Sequence, residues 1–429
     1  MARMDNPGTG GAVQDELPVR RPLCVAVVTE TYPPEVNGVS ATIARVVEGL
    51  RERHHAVQLV RPSQGARDGA ADSSPAAPGF SEVLVRGLPI PRYPQLKMGL
   101  PARGTLLSLW TKQRPHLVHL VTEGPLGWAA LGAARKLGLP VVSDFRTNFH
   151  AYSRHYGLPW LHAPIMAYLR HFHNRTACTM VPTEALRQQL AGAGFQRLQV
   201  VARGVDTQRF TPARRSAALR AQWGADAATQ VVLCVGRLAP EKNLGALVDA
   251  WRAMQARRVE RGVAGTRLKL VLVGDGPARA ALQAQLPEAV FAGLRHGDDL
   301  AAHYASADVF LFTSLTETFG NVVPEAMASG LAVVAFDYAA AAQLVRHGES
   351  GLLAPVDDAV ALQRQAQRLV GDPQRVQQLG AAARAVALRQ GWDRVVGLIE
   401  AEYEAALRAA APSPAADGPH AELRPVLPP

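Results

Sequence analysis

The chain has 429 residues, 48% of them hydrophobic, and 46 Lys and Arg against 36 Asp and Glu, for a net charge of +10. That length favours two domains with sizeable cores. No apolar run reaches the roughly 18 residues of a membrane span, and the opening MARMDNPGTGGAVQDELPVR lacks the apolar centre of a secretory signal. Cys24, Cys178 and Cys234 lie far apart, each in apolar sequence, so they read as core residues of a cytosolic protein rather than a disulfide frame or a metal site.

The charge is uneven. Residues 1–200 carry 22 basic and 13 acidic side chains, a balance of +9, and the remainder carries 24 and 23, a balance of +1. The first half also holds 9 of the 13 histidines. Such a half points to an anionic partner: membrane lipid, nucleic acid or an acidic substrate. An arginine-rich proteome produces the same numbers with no partner at all.

In chain order, the apolar run from Leu23 to Thr29 predicts a first parallel strand. The loop Glu30 to Gly38 follows, then a helix with Val39, Ile43, Val46, Val47 and Leu50 at helical spacing. Gly38 beside Asn37 lets backbone approach a ligand closely. Further strands are predicted at 56–60, 117–121 and 141–143, with a helix over 127–136, and 62–80 reads as a loop. This strand–helix alternation predicts a doubly wound α/β domain. The stretch from Ser143 to Gly157 is dense in polar groups just after a strand, where open α/β sheets bind ligands. It supplies Arg146, Asn148, His150 and His155, although a lone histidine is more often structural. Residues 160–177 place Leu161, Ile165, Leu169 and Phe172 at helical spacing with Arg170, His171, His173 and Arg175 between them. That is either a core-facing helix or a basic amphipathic surface for a membrane or lipid acceptor.

Residues 207–228 read as a polar, arginine-rich connection. A second domain starts with a strand at 230–236. Its loop, Arg237-Leu-Ala-Pro-Glu-Lys-Asn243, sets two cations five positions apart where they can neutralise a diphosphate. The strand at 268–273 ends in Gly274-Asp-Gly-Pro277, a dinucleotide fingerprint without its third glycine, so nicotinamide binding is rejected. The run 308–314 is a buried strand. It leads into Thr316-Glu-Thr-Phe-Gly-Asn-Val-Val-Pro-Glu-Ala-Met-Ala-Ser-Gly330, with Pro324 predicting a helix start and Gly330 its end. The N–H groups of Gly320 to Val322 then face a ligand above the strand. Glu317 and Glu325 frame the turn; beside a phosphate site, a carboxylate aims at paired sugar hydroxyls. Glu325 as a helix cap and Glu317 as a solvated side chain is the plainer alternative. A strand at 333–336, a turn at 347–353 and mostly helical sequence over 358–409 complete the chain.

The Thr316–Gly330 string, with GRLAPEKN and ETYPPEVNGVS, resembles the retaining glycosyltransferases of family four. The resemblance covers roughly residues 22–408. It implies the GT-B fold: α/β, with two Rossmann-like doubly wound domains facing a cleft and a last helix crossing back to the first domain. The expected organisation is a disordered tail over 1–20, an acceptor-binding domain over 21–206, a linker over 207–228, a nucleotide-sugar-binding domain over 229–388, the crossing helix over 389–410 and a tail over 411–429. The resemblance implies a metal-independent hexosyltransferase with no cofactor beyond its sugar-nucleotide substrate. Arg237, Lys242 and Glu317 are the catalytic group. Gly38, Gly236, Phe319, Gly320, Asn321, Val322 and Glu325 hold the donor, Glu325 at the ribose. Asn37, Arg146, Asn148 and His150 lie on the acceptor side. Where related loops read Phe-His-Thr, this chain reads Phe145-Arg146-Thr147, so the histidine's role is not carried over. The absence of any Asp-x-Asp pair agrees with a metal-free site. The motifs look most like bacterial enzymes transferring mannose or a related hexose to a lipid acceptor, with sulfoquinovosyl- and glucosyl-diacylglycerol synthases as relatives. The expected place is the cytoplasm, with a peripheral position at the inner face of the plasma membrane suggested by the basic half. A sugar-nucleotide 2-epimerase and a non-enzymatic polyanion binder remain as alternatives.

Overall fold

The computed structural model describes residues 21–35, 37–65, 68, 78–90, 93–146, 162–260 and 267–411. The first domain is built on strands β1 (Cys24–Val28), β2 (Ala56–Pro62), β3 (Phe80–Val85), β6 (Leu117–Leu120), β7 (Val141–Asp144), β8 (Cys178–Val181) and β9 (Leu198–Val200). All are parallel, in the order β3-β2-β1-β6-β7-β8-β9. The central strands are buried on both faces, which is why they read as unbroken apolar runs. An antiparallel hairpin, β4 (Gly87–Ile90) with β5 (Tyr93–Gly99), lies beyond β3.

Helix α1 (Gly38–Glu52) starts where Asn37 accepts the N–H groups of Val39 and Ser40. That cap satisfies two of the free donors of the first turn. It turns Ile43, Val46, Val47 and Leu50 onto the sheet. Helix α2 (Pro125–Lys136) covers the opposite face. Helix α3 (His162–His173) buries Leu169, Phe172 and His173 and leaves Tyr168, Arg170 and His171 exposed. The core-facing and basic-surface readings of this stretch therefore each describe one side of the same helix.

The second sheet is β12-β11-β10-β13-β14-β15, again parallel. Its strands are β10 (Thr229–Val235), β11 (Arg267–Val273), β12 (Val290–Gly293), β13 (Val309–Phe312), β14 (Ala332–Phe336) and β15 (Leu352–Ala354). Helices α4 (Leu244–Glu260), α5 (Val322–Ala328) and α6 (Pro373–Ala387) contribute to the clusters on its two faces. Residues 207–228 are more than a connection. They hold a short helix at Ala217–Gln222, and Phe210 and Trp223 are buried in the second domain's core.

Helix α7 (Trp392–Ala410) crosses back to the first domain. Val395, Val396, Ile399 and Tyr403 join the core around α1 and β1. The approach is close enough that a Cβ on Gly49 of α1 would lie 2.7 Å from Val396, and one on Gly204 would lie 2.6 Å from Trp392. Polar contacts fix the register: Arg53 to Glu400 at 2.6 Å, His55 to Glu400 at 2.7 Å and the Tyr403 hydroxyl to His119 Nδ1 at 2.8 Å. No helix among the described residues is long and apolar enough to cross a membrane.

Candidate donor and acceptor site

The loop after β10 is held from both sides. Gly236 has φ +152, and the turn Pro240–Lys242 ends at Asn243 with φ +52. On one side, Gly274 and Gly276 pack so tightly that a Cβ on Gly274 would lie 1.9 Å from the Gly236 carbonyl oxygen and one on Gly276 2.4 Å from that of Leu238. The Gly-Asp-Gly sequence therefore braces this loop. On the other side, the Thr313 hydroxyl donates to the Lys242 carbonyl at 3.1 Å and the Thr316 hydroxyl to that of Glu241 at 2.8 Å. Arg237 is about half exposed, 3.6 Å from Glu241. Lys242 Nζ pairs with Glu317 Oε1, so the cation of one loop and the carboxylate of the other meet directly. Gly236, Arg237, Leu238, Lys242, Phe312, Thr313 and Ser314 line a small cavity here. Among the described residues, the buried Ser314 hydroxyl has no hydrogen-bond partner. Sequence reasoning passed over Ser314; its signal was a hydroxyl immediately after an apolar strand.

Gly320, at φ +91, makes the turn that a residue with a Cβ adopts only with strain. Phe319 is buried, with its backbone carbonyl accepting the Ala340 N–H at 2.8 Å. Asn321 occupies the cap position of α5, where no side chain caps the helix. Its Nδ2 donates to Thr42 of α1 at 3.5 Å across the cleft. The helix begins at Val322, so Pro324 is its third residue rather than its first. Glu325 accepts the Tyr304 hydroxyl at 2.9 Å. Burial pushes its carboxyl up to about 7, since desolvation disfavours the charged form.

On the first-domain side, Gly38 opens α1. Asn37 is committed to the cap, with its amide nitrogen also donating to Thr31 at 2.7 Å. Glu30 accepts the Leu126 N–H at 3.0 Å, and burial raises it to about 7. At the end of β7, Asp144 sits between His119, 3.0 Å away, and Arg146, whose Nε donates to it at 2.7 Å. The Arg146 guanidinium, and the His119 ring after it, hold Asp144 well below the usual carboxylate range despite burial. The Thr318 hydroxyl donates to the Arg146 carbonyl at 3.2 Å, a second contact across the cleft. Arg203, outside every motif of the sequence analysis, lies over the Phe319 ring at 5.9 Å. Asn148, His150 and His155 lie outside the described residues. Among the described residues, no group of three or more His, Cys, Asp or Glu is placed to hold a metal ion.

Arg237 and Lys242 in the loop after β10, Glu325 at a second-domain helix and a first-domain wall of charged groups lie around one cleft. Residues 36–209 match the Glycosyltransferase Family 4 profile, and residues 229–372 match that of Glycosyl transferases group 1. The GDP-mannose-dependent alpha-mannosyltransferase of Mycobacterium tuberculosis is 36% identical over 391 residues, which is 89% of this chain and 96% of that protein. The sulfoquinovosyl transferase of Arabidopsis thaliana is 28% identical over 90% of this chain and 74% of its own length. Among solved structures, Anabaena HepE in complex with UDP and glucose superposes with a TM-score of 0.67 at 20% identity, covering 89% of this chain and 99% of that one. That likeness gives the fold, GT-B with two Rossmann-like domains. With both halves matched in order and one relative aligned over nearly its whole length, the chain belongs to the family 4, group 1 glycosyltransferases and is a hexosyltransferase.

Proposed function

We propose that this enzyme transfers mannose from GDP-mannose, with retention of anomeric configuration and without a metal, to a lipid or glycan acceptor. The observation that carries the reading is the 36% identity, over 391 residues, to a GDP-mannose-dependent alpha-mannosyltransferase. Arg237 and Lys242 neutralise the departing diphosphate, Glu317 holds hydroxyls of the transferred sugar and Glu325 holds the ribose. Positive charge preorganised where negative charge grows is the main aid such a reaction needs. The leaving phosphate itself takes the acceptor's proton on the face it departs from.

A second reading, transfer of a glucosyl or sulfoquinovosyl group from a UDP-sugar to diacylglycerol, draws on the 28% and 24% identities to a sulfoquinovosyl transferase and an alpha-monoglucosyldiacylglycerol synthase. Thermal unfolding with GDP-mannose, UDP-glucose or UDP-sulfoquinovose separates the two. Protection by GDP-mannose alone is expected; protection by UDP-sugars alone moves the assignment to the second reading. Mannosyl transfer should persist in excess EDTA, because the cleft cations do the work of a metal. Activity lost to chelator and restored by magnesium or manganese would overturn the metal-free reading.

Glu325 adds a pH dependence. Its carboxyl titrates at about 7 in the free protein, and ribose hydroxyls donate to the ionised form. Binding therefore lowers its pKa, and donor affinity is full above about pH 7 and falls as pH drops, by at most about tenfold per unit. GDP-mannose, a phosphodiester, does not itself titrate there. The expected result is a Kd several-fold weaker at pH 6 than at pH 8 in the parent and a flat profile in Glu325→Gln. Equal affinity at both pH values in the parent removes Glu325 from the ribose.

The +9 balance of residues 1–200 and the exposed Tyr168, Arg170 and His171 of α3 support peripheral binding to anionic lipid. Each cation near such a surface contributes about 1 kcal/mol, within a screening length of about 8 Å at physiological salt. Sedimentation with anionic vesicles at low salt, and release at high salt, is expected. Equal binding to neutral vesicles counts against it.

A further inference from the structure

We propose that Arg146 and Arg203 together hold one anionic group of the acceptor, a carboxylate or a phosphate, in a pocket on the first-domain side of the cleft. The proposal rests on the transferase reading above and extends it to the acceptor's chemistry. Both side chains line one pocket, at the carboxyl ends of β7 and β9. Its remaining wall includes Thr42 and Val46 of α1 and Trp392, Val395 and Ile399 of α7.

The guanidinium groups are incompletely satisfied. The Arg146 side chain is only 8% exposed, and both Nε and Nη2 go to the same oxygen, Asp144 Oδ2. Among the described residues its Nη1 is buried with no hydrogen-bond partner, and so is Nη2 of Arg203. A buried donor left without an acceptor is costly, so two in one pocket call for one. Arginine's planar fork matches the paired oxygens of a carboxylate or phosphate.

The charges agree. Two guanidinium groups face one carboxylate, Asp144, while Glu317 is engaged by Lys242. The pocket is left with one uncompensated positive charge. Burial and the nearby Arg146 charge push Arg203 down to about 9, against the partial relief of Asp144 and Glu317, so it is still charged at neutral pH beside Arg146. A single anion between them removes both defects. The donor's diphosphate is an unsuitable source, because Arg237 and Lys242 already stand in a separate cavity whose described lining comes from the second domain. Among the described residues, the lining of the Arg146 pocket comes from the first domain and α7.

The test titrates inorganic phosphate into the full-length protein saturated with GDP, so that the donor's phosphate positions are filled. One phosphate is expected to bind, with affinity at least tenfold weaker in Arg203→Gln and in Arg146→Gln and partly restored in Arg146→Lys. GDP affinity should stay within about twofold in all three. Losing Arg146 leaves Asp144 short of a partner, so melting temperatures are compared first; Arg203→Gln strands no carboxylate and reads the pocket if Arg146→Gln does not fold. Phosphate that GDP displaces, or variants that lose GDP, would assign the pair to the donor and overturn the acceptor assignment. No phosphate binding, or equal binding in parent and variants, would remove the site. If GDP itself does not bind, the GDP-mannose reading fails, and phosphate titration of the nucleotide-free parent and variants still tests the pair.

Discussion

Lys242→Ala and Arg237→Ala are each expected to lower kcat by about 10²–10³-fold, equivalent to ~2–4 kcal/mol of barrier, the usual loss when one preorganised charge stabiliser is removed. The effect falls on kcat because the diphosphate gains charge as the glycosidic bond breaks. The two cations are not equivalent. Arg237 is about half exposed with a loose partner 3.6 Å away, whereas Lys242 is paired with Glu317 and its loop is fixed by the Thr313 and Thr316 hydroxyls. Glu317→Ala therefore does two things: it removes the contact to the sugar and frees Lys242 to move. The Lys242→Ala, Glu317→Ala double variant should lose clearly less than the sum of the single losses, because residues in direct contact couple. Glu325→Ala should chiefly raise the donor KM, since a ribose contact is already made in the ground state. Steady-state kinetics on folded variants decides. Parent-like turnover in both cation variants would move the diphosphate elsewhere, and strict additivity of Lys242 and Glu317 would mean their contact has no part in turnover.

Much of the fold was legible because it is local. β1, β6, β10, β13 and β14 are buried on both faces, so each is an apolar run bounded by turns. The six residues Phe80–Val85 were not legible. They form an edge strand, half exposed, with Ser81 and Glu82 inside it, and the hairpin after it is neither long nor periodic. The helix Ala217–Gln222 is likewise too short for periodicity to show, and the burial of Phe210 and Trp223 is a tertiary fact that turned an expected linker into part of the second core. The same division holds at the site. The two loop cations stand five positions apart and Gly320 lies between the two glutamates, so each set could be read as a local pattern. The Lys242–Glu317 pair spans 75 positions and the His119–Tyr403 bond 284, and no local pattern carries either. The Gly274-Asp-Gly276 fragment shows the limit from the other direction. Rejecting it as a dinucleotide fingerprint left its glycines without a purpose, and the backbone-to-backbone approach to Gly236 and Leu238 supplies one.

Glu400→Ala is expected to cost about 1–3 kcal/mol of stability, the range for leaving a buried donor without its acceptor. Glu400 is nearly fully buried on α7, with one oxygen 2.7 Å from His55 Nε2 and the other 2.6 Å from Arg53. His55 Nδ1 accepts the Leu23 N–H at 2.9 Å, so its Nε2 carries the proton and donates to Glu400. Alanine would leave both donors facing a cavity in the core. Arg53 keeps a second anion, Asp393 at 2.5 Å, so the stranded group is chiefly His55. Glu400→Gln keeps the volume and one acceptor oxygen and should lose less. Urea denaturation followed through the first domain measures the difference; an Ala variant within about 1 kcal/mol of the parent, a surface-pair value, would show that α7 is held by its apolar face alone. The consequence extends to the cleft. Trp392, Val395 and Ile399 of the same helix line the Arg146 pocket, and Tyr403 reaches Asp144 through His119. A loosened α7 should therefore weaken phosphate binding at the arginine pair before it weakens GDP, whose loops rest on the second sheet.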